Sequence, residues 1–252
     1  HFIDYKLFIK IFSMKDSELT QLHKPYESTI RFEKFLKKNK LLTKKTKNII
    51  DIGSGIGSNL HYFSKKNNLI KFTGSDYDKK RISLAKKLNN NKNINFEYLN
   101  ILNLNKKFVN KFDGLISIHA FCCFKTPDVI IKNICKIKPN WIAINSLFYN
   151  GNLDVLIHIR DYDQPSLKDN NPNSDFNIFS LSKIEREFKK YNYKLVKIYP
   201  YFPSNPILKP KYNRRGSYTI KTEFNKFSTF SGPVYLPWHF ILLKKNDKIK
   251  KK

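Results

Sequence analysis

Nothing in the chain constrains its fold as tightly as the run Ile49-Ile50-Asp51-Ile52-Gly53-Ser54-Gly55-Ile56-Gly57. A short β-branched stretch feeding three glycines at every second position reads as a buried strand that turns sharply into a helix. Glycine lacks a Cβ, so such a turn lets backbone approach a ligand closely. The helix that follows aims its free N–H groups at the same place. Any dinucleotide, or no ligand at all, is compatible with the turn taken alone.

The segments on either side support a parallel sheet. The cadence of strand-like and helix-like segments runs from Asn48–Ile52 through a helix at Ser58–Lys66, a strand at Leu69–Asp76 and a helix at Lys79–Leu88. It continues with strands at Ile94–Leu99 and Phe112–His119, a helix at Val129–Cys135 and a strand at Trp141–Leu147. Alternation of this kind is the signature of an α/β sheet with helices on both faces. An amphipathic helix is expected before it, over Tyr26–Asn39, from the spacing of Ile30, Phe32, Phe35 and Leu36. Beyond the fifth strand, 153–177 is polar and reads as a loop excursion. A helix capped by Ser180 or Ser182 and strands at Leu195–Tyr199 and Trp238–Leu243 complete the set. Between the last two strands lies an aromatic, proline-punctuated insertion, 200–237, with a β-hairpin expected around Phe224-Asn225-Lys226.

The formal charge of +28 invites a nucleic-acid reading. Arginine stands only at 31, 81, 160, 186, 214 and 215, so lysine carries nearly all the positive charge and is spread along the chain. That distribution favours a solvated surface over a binding groove. No apolar run approaches the roughly 18–20 residues a spanning helix needs. Residues 1–13 precede Met14, the only methionine, and read as an upstream extension to a single domain over 14–252. Cys122, Cys123 and Cys135 lack zinc-site spacing, so no metal is expected and reduced thiols in a cytoplasmic protein are.

Three details narrow the ligand. The glycine spacing is G-x-G-x-G, not the G-x-G-x-x-G that cradles a pyrophosphate. Asp51 stands two positions before the first glycine, where a carboxylate would repel pyrophosphate but suit an amino group and a sulfonium. Asp76 ends the second strand nineteen residues after Gly57, at the neighbouring strand's carboxyl end, where it can accept from ribose hydroxyls. With Thr73-Gly74-Ser75-Asp76-Tyr77, Glu97-Tyr98-Leu99-Asn100-Ile101-Leu102 and Phe112-Asp113-Gly114-Leu115-Ile116-Ser117-Ile118-His119, these features make the chain similar to class I S-adenosylmethionine-dependent methyltransferases.

The resemblance implies a doubly wound, seven-stranded Rossmann-like sheet with an antiparallel last strand and a β-hairpin cap between strands six and seven. It implies S-adenosylmethionine as cofactor, held by Asp51, Gly53, Ser54, Gly55, Gly57, Asp76, Tyr77, Asn100, Ile101 and Ser117. Asp76 would take the ribose and Tyr77 would pack on the adenine. Asn100 stands where the family often has an aspartate, and is either an adenine ligand or a turn residue. Tyr26 either closes over the cofactor or simply starts its helix. His119, at the end of the fourth strand, is the candidate general base or a residue that shapes the pocket. His158, Arg160, Asp161 and Tyr162 are candidates for the acceptor side, as are Arg214 and Arg215 in the cap. The acceptor expected is a small molecule or a glycan or lipid precursor, methylated at oxygen or nitrogen. An RNA or protein substrate and a non-catalytic cofactor binder are the alternatives.

Overall fold

A computed structural model describes residues 16–160, 173–211, 216–222 and 226–246. Two helices, α1 (Asp16–His23) and α2 (Glu27–Lys38), precede the alternating core. That core comprises β1 (Asn48–Ile52), α3 (Ser58–Lys66), β2 (Lys71–Asp76), α4 (Lys79–Leu88), β3 (Ile94–Tyr98), β4 (Gly114–Ile118), α5 (Asp128–Ile137) and β5 (Trp141–Tyr149). There follow β6 (Val155–Arg160), β7 (Asn173–Ser180), α6 (Leu181–Lys189), β8 (Tyr193–Pro200), β9 (Ser217–Lys221), β10 (Phe227–Ser231), β11 (Val234–Tyr235) and β12 (Trp238–Lys245).

The main sheet runs β3-β2-β1-β4-β5-β12-β8. The first five strands are parallel, and β12 lies antiparallel between β5 and β8. Apolar residues of β1, β4 and β5 alternate between two cores. On one face Ile50, Leu115, Ile142 and Ile144 pack with Ile130, Ile131 and Ile134 of α5 and Ile184 and Phe188 of α6. On the other, Ile49, Ile116 and Ala143 meet Phe32, Phe35 and Leu36 of α2, Leu60 and Phe63 of α3, and Ile82 and Ala85 of α4. Burial on both faces is why these strands read as continuous apolar runs. The expected doubly wound Rossmann-like sheet, with its antiparallel last strand, is the fold observed.

Two expectations need correction. The polar stretch 153–177 is not all loop: β6 and the start of β7 lie in it, paired antiparallel, and β7 also joins the end of β5 through Phe148 and Tyr149. Polar residues mask these strands because β6 is an edge strand with few buried positions, so the alternation of one face is diluted. The cap is a three-stranded meander, not a lone hairpin, since β11 adds to β10 through Ser231 and Phe230. Of the two serines expected to cap the next helix, the first does so. Ser180 is the N-cap of α6, its Oγ accepting from the Lys183 amide at 3.2 Å. Residues 1–13, Asp161, Tyr162, Tyr212, Arg214, Arg215 and Phe224 lie outside the described residues.

Candidate functional site

The strand order reverses between β1 and β4, and crevices for ligands form outside the carboxyl ends of strands at such a switch point. Here the loop after β1 meets the loop after β4. Gly53 adopts φ 78°, and a Cβ built on it would stand 2.4 Å from the Cβ of Ala120. Only glycine permits both the left-handed turn and that contact. The Gly53 and Ser54 amides donate to the Ser75 carbonyl, at 2.8 and 2.9 Å, which binds the turn to the end of β2.

Asp76 organises the rim. Its Oδ2 accepts from the Gly55 amide at 2.9 Å and its Oδ1 from the Asp78 amide at 3.0 Å. Asp78 in turn caps α4, accepting from the Lys80 and Arg81 amides at 2.8 and 3.3 Å. Arg81, which sequence reasoning passed over, brings its guanidinium beside Gly55: a Cβ at that glycine would lie 3.5 Å from Arg81 Nη1. A rare arginine in the first turn after a ribose-type aspartate is the signal that would have found it.

Asp51 is the chemically unusual group. It is buried, and neither carboxylate oxygen has a hydrogen-bond partner. The Ser54 hydroxyl is likewise buried and unpaired. Burial pushes the Asp51 carboxyl well above the usual carboxylate range, and the neighbouring Asp76 charge adds to the rise. A buried acceptor left without a donor is costly, and this one is open to a donor or a cation. The sign of the pH dependence follows: with the folded pKa raised, this group's contribution is full below the ordinary carboxylate range and is lost as pH rises through the shifted value. Asp51→Asn is therefore expected to raise the melting temperature of the unliganded protein at neutral pH by a few degrees, about 2–4 °C per kcal/mol recovered. The same variant should weaken S-adenosylhomocysteine binding. Paired thermal melts and calorimetry check both halves.

His119 follows β4, one residue before the Ala120 that meets Gly53. Its ring lies 4.7 Å from that of Trp238 and 6.4 Å from that of Tyr26, the N-cap residue of α2. Asn145 Nδ2 lies 3.1 Å from His119 Nε2. Burial lowers the imidazole to about 4, so the ring is neutral at physiological pH. Because its folded pKa is depressed, the stability this neutral ring contributes is present above the unfolded value near 6.5 and is lost as pH falls toward 4. His61 and His239 are shifted downward too, first by burial. Acid unfolding between pH 6.5 and 4 should therefore be blunted in His119→Gln relative to the wild type, by at most about 3 kcal/mol. Circular dichroism melts across that range measure it.

The remaining expected residues divide. Asp51, Gly53, Ser54, Gly55 and Asp76 share the crevice. Gly57 packs instead of facing it, since a Cβ there would lie 2.3 Å from the Phe96 ring. Ser117 donates from Oγ to the Ile52 carbonyl at 3.0 Å, bracing β4 against the glycine turn. Ile101 is buried in the α5-side core, and its carbonyl accepts from Asn133 at 2.8 Å. Asn100 closes a local turn, its Oδ1 accepting from the Leu102 amide at 3.0 Å. Tyr77 projects into solvent, 74% exposed, next to the rim carboxylate. The His158 side chain sits on the exposed edge strand β6. Cys122 and Cys135 are buried and Cys123 is exposed, all three as free thiols. Asn145 and Trp238 are residues of the site that motif reading missed, because both lie inside strands and match no pattern.

Comparison with known proteins agrees with this fold. The family model described as a methyltransferase domain matches residues 43–193, more than half of the chain. The chain belongs to that family: it is a class I S-adenosylmethionine-dependent methyltransferase. None of the curated proteins compared matches it. Among solved structures, one similar fold is a Listeria monocytogenes protein described as an S-adenosylmethionine-dependent methyltransferase (TM-score 0.57, 11% identity, 86% of this chain and 100% of that one). A second is a Galdieria sulphuraria protein described as a sarcosine dimethylglycine methyltransferase (0.55, 12%, 96% and 98%). A third is magnesium protoporphyrin IX methyltransferase from Synechocystis with bound S-adenosylmethionine (0.52, 11%, 87% and 79%). At these identities the likeness speaks for the fold.

Proposed function

We propose that the crevice between the β1 and β4 loops holds S-adenosylmethionine and that the enzyme methylates a small molecule or a glycan or lipid precursor, at oxygen or nitrogen, in the cytoplasm. The observation that carries the cofactor assignment is the unpaired, buried Asp51 carboxylate beside the glycine turn. It fits a ligand bearing an amino group and a sulfonium better than any anionic ligand. Asp76 would accept from the ribose hydroxyls while still holding the Gly55 and Asp78 amides, since each carboxylate oxygen has two lone pairs. Tyr77 is available to lie over the adenine, and Tyr26 would approach from the α2 side. When bound, S-adenosylmethionine supplies an electrophilic methyl carbon whose bonding pair leaves with the sulfur.

What the chain itself contributes is alignment and exclusion of water. The acceptor end is lined by Tyr26, His119, Asn145 and Trp238, none of them charged at neutral pH. Leu236 and Val234 of the cap pack there against Cys122, Leu147 and Ile178, and the Tyr201 amide closes onto the Trp238 carbonyl at 2.8 Å. A second clasp joins α2 to the cap's start. Glu27 accepts from the Ser204 amide at 2.9 and 3.0 Å, and Arg31 donates to the Phe202 carbonyl at 3.1 Å. An acceptor end roofed in this way favours a compact substrate over a polymer lying across the surface.

Among the described residues no helix is long and apolar enough to cross a membrane. The test is transfer of a tritiated methyl group into fractionated cell extract. Label in metabolite, glycan or lipid fractions supports the reading. Label confined to RNA or protein overturns the substrate class, and cofactor binding with no transfer to any fraction overturns catalysis.

A further inference from the structure

Three helices end on the same residue type. Asn39 after α2, Asn67 after α3 and Asn89 after α4 each turn Nδ2 back to the carbonyl four residues earlier. The distances are 2.8 Å to Phe35, 2.9 Å to Phe63 and 2.9 Å to Ala85. Such a bond satisfies one of the carbonyls that a helix leaves orphaned at its carboxyl end. Asn89 differs from the other two in reaching the glycine turn. Its Nδ2 also donates to the Ile56 carbonyl at 3.0 Å, and the residue is buried. Both partners are backbone carbonyl oxygens, which can only accept, and that fixes the orientation of this amide. Turned over, it would set Oδ1 against two oxygens and give neither a donor.

Ile56 lies between Gly55 and Gly57, and the rest of this arc is tied to the same helix. The Ile56 side chain is buried with Leu84 of α4 and Leu19 of α1. Gly57 takes φ 82°, and a Cβ built on it would stand 3.4 Å from Asn89 Nδ2. On the other side, the Gly55 amide donates to Asp76 Oδ2, while Asp76 Oδ1 accepts from the Asp78 amide at the start of α4. The arc is thus held through Asp76 at the beginning of α4 and through Asn89 at its end. Two glycines in three residues give a backbone with much freedom to lose. Fixing it beforehand lowers the entropy lost when a ligand binds.

We infer that Asn89 is a positioning residue: by holding the Ile56 carbonyl it preorganises the Gly55–Gly57 arc for the cofactor, with α4 as the splint. Its part in binding rests on the cofactor site proposed above; the bracing of the arc does not.

Two measurements on the full chain test this. Both glycine amides are hydrogen-bonded, Gly55 to Asp76 and Gly57 to the Ser54 carbonyl at 2.9 Å. Their hydrogen exchange, followed by nuclear magnetic resonance without cofactor, should be about tenfold faster in Asn89→Ala. Calorimetry should show the dissociation constant for S-adenosylhomocysteine raised about tenfold, equivalent to about 1.4 kcal/mol. Asn39→Ala and Asn67→Ala lose the same helix-end bond, so they supply the comparison for a merely structural role. They should lower the melting temperature while leaving glycine exchange and affinity unchanged. Unchanged exchange in folded Asn89→Ala overturns the inference, as does faster exchange with unchanged affinity. Equal loss of affinity in the comparison variants also overturns it. If the alanine variant does not fold, Asn89→Asp carries the same test, being isosteric with at most one proton to share between two carbonyls. Asp76→Ala separates the two failures. Affinity unchanged there as well removes the site itself, whereas affinity lost there and kept in Asn89→Ala removes only the positioning role.

Discussion

Asp76→Ala is expected to raise the dissociation constant for S-adenosylhomocysteine about 100-fold or more, equivalent to about 2.7 kcal/mol. The residue has two tasks, and the substitution removes both. Its carboxylate accepts from the Gly55 and Asp78 amides, fixing the glycine turn against the start of α4. On the function proposed above it would also accept from the ribose hydroxyls, and hydrogen bonds to charged groups contribute about 1.5–3 kcal/mol each. Asp76→Asn separates the tasks. One amide oxygen remains to hold one backbone N–H, so the fold should suffer less than in Asp76→Ala while affinity still falls. Calorimetry for affinity and thermal melts for stability check the pair. Unchanged affinity in both variants would remove Asp76 from the site.

Gly53→Ala should cost about 2–4 kcal/mol of stability, because the left-handed backbone and the crowding at Ala120 act together. The contrast is Gly55→Ala. Its φ of 56° carries the same conformational penalty, but its Cβ would meet only Arg81 Nη1 at an ordinary 3.5 Å. That variant should lose only about 1–2 kcal/mol. Denaturant titrations of the two measure the difference. A larger side chain at residue 53, such as Gly53→Val, is consequently a poor probe of cofactor binding, because the clash with Ala120 disturbs the fold before any ligand arrives.

Much of the fold was legible because parallel strands buried on both faces announce themselves as short, mostly apolar runs bounded by glycine, and Ile49–Ile52 and Leu115–Ile118 do so. The glycine turn, Asp51 and Asp76 were legible for a related reason. Their chemistry depends on residue types at fixed chain distances, which spacing preserves. The β6–β7 pair was not, because an exposed edge strand such as Val155-Leu156-Ile157-His158 needs no strict alternation. Asn145 and Trp238 were hidden differently. They reach His119 through strand pairing, Ile118 lying against Asn145 and Leu147 against Trp238, and no local pattern encodes a neighbour that is brought in by the sheet. Ile101 and Ser117, expected at the ligand from motif position, have side chains that are taken up by packing and bracing.

The antiparallel placement of β12 between β5 and β8 has a consequence for how such an enzyme changes. The residues that open and close the insertion, Pro200 and His239, are paired across adjacent strands. The whole of 201–237 therefore leaves and re-enters the sheet at a single point, and its length bears only weakly on the entropy of closing it. Substitutions, insertions or wholesale replacement there can redraw what covers the carboxyl edge of β5 while the carboxylates and the glycine turn beyond β1 and β2 stay in register. Under the function proposed above, a new acceptor is reachable by rewriting that one insertion.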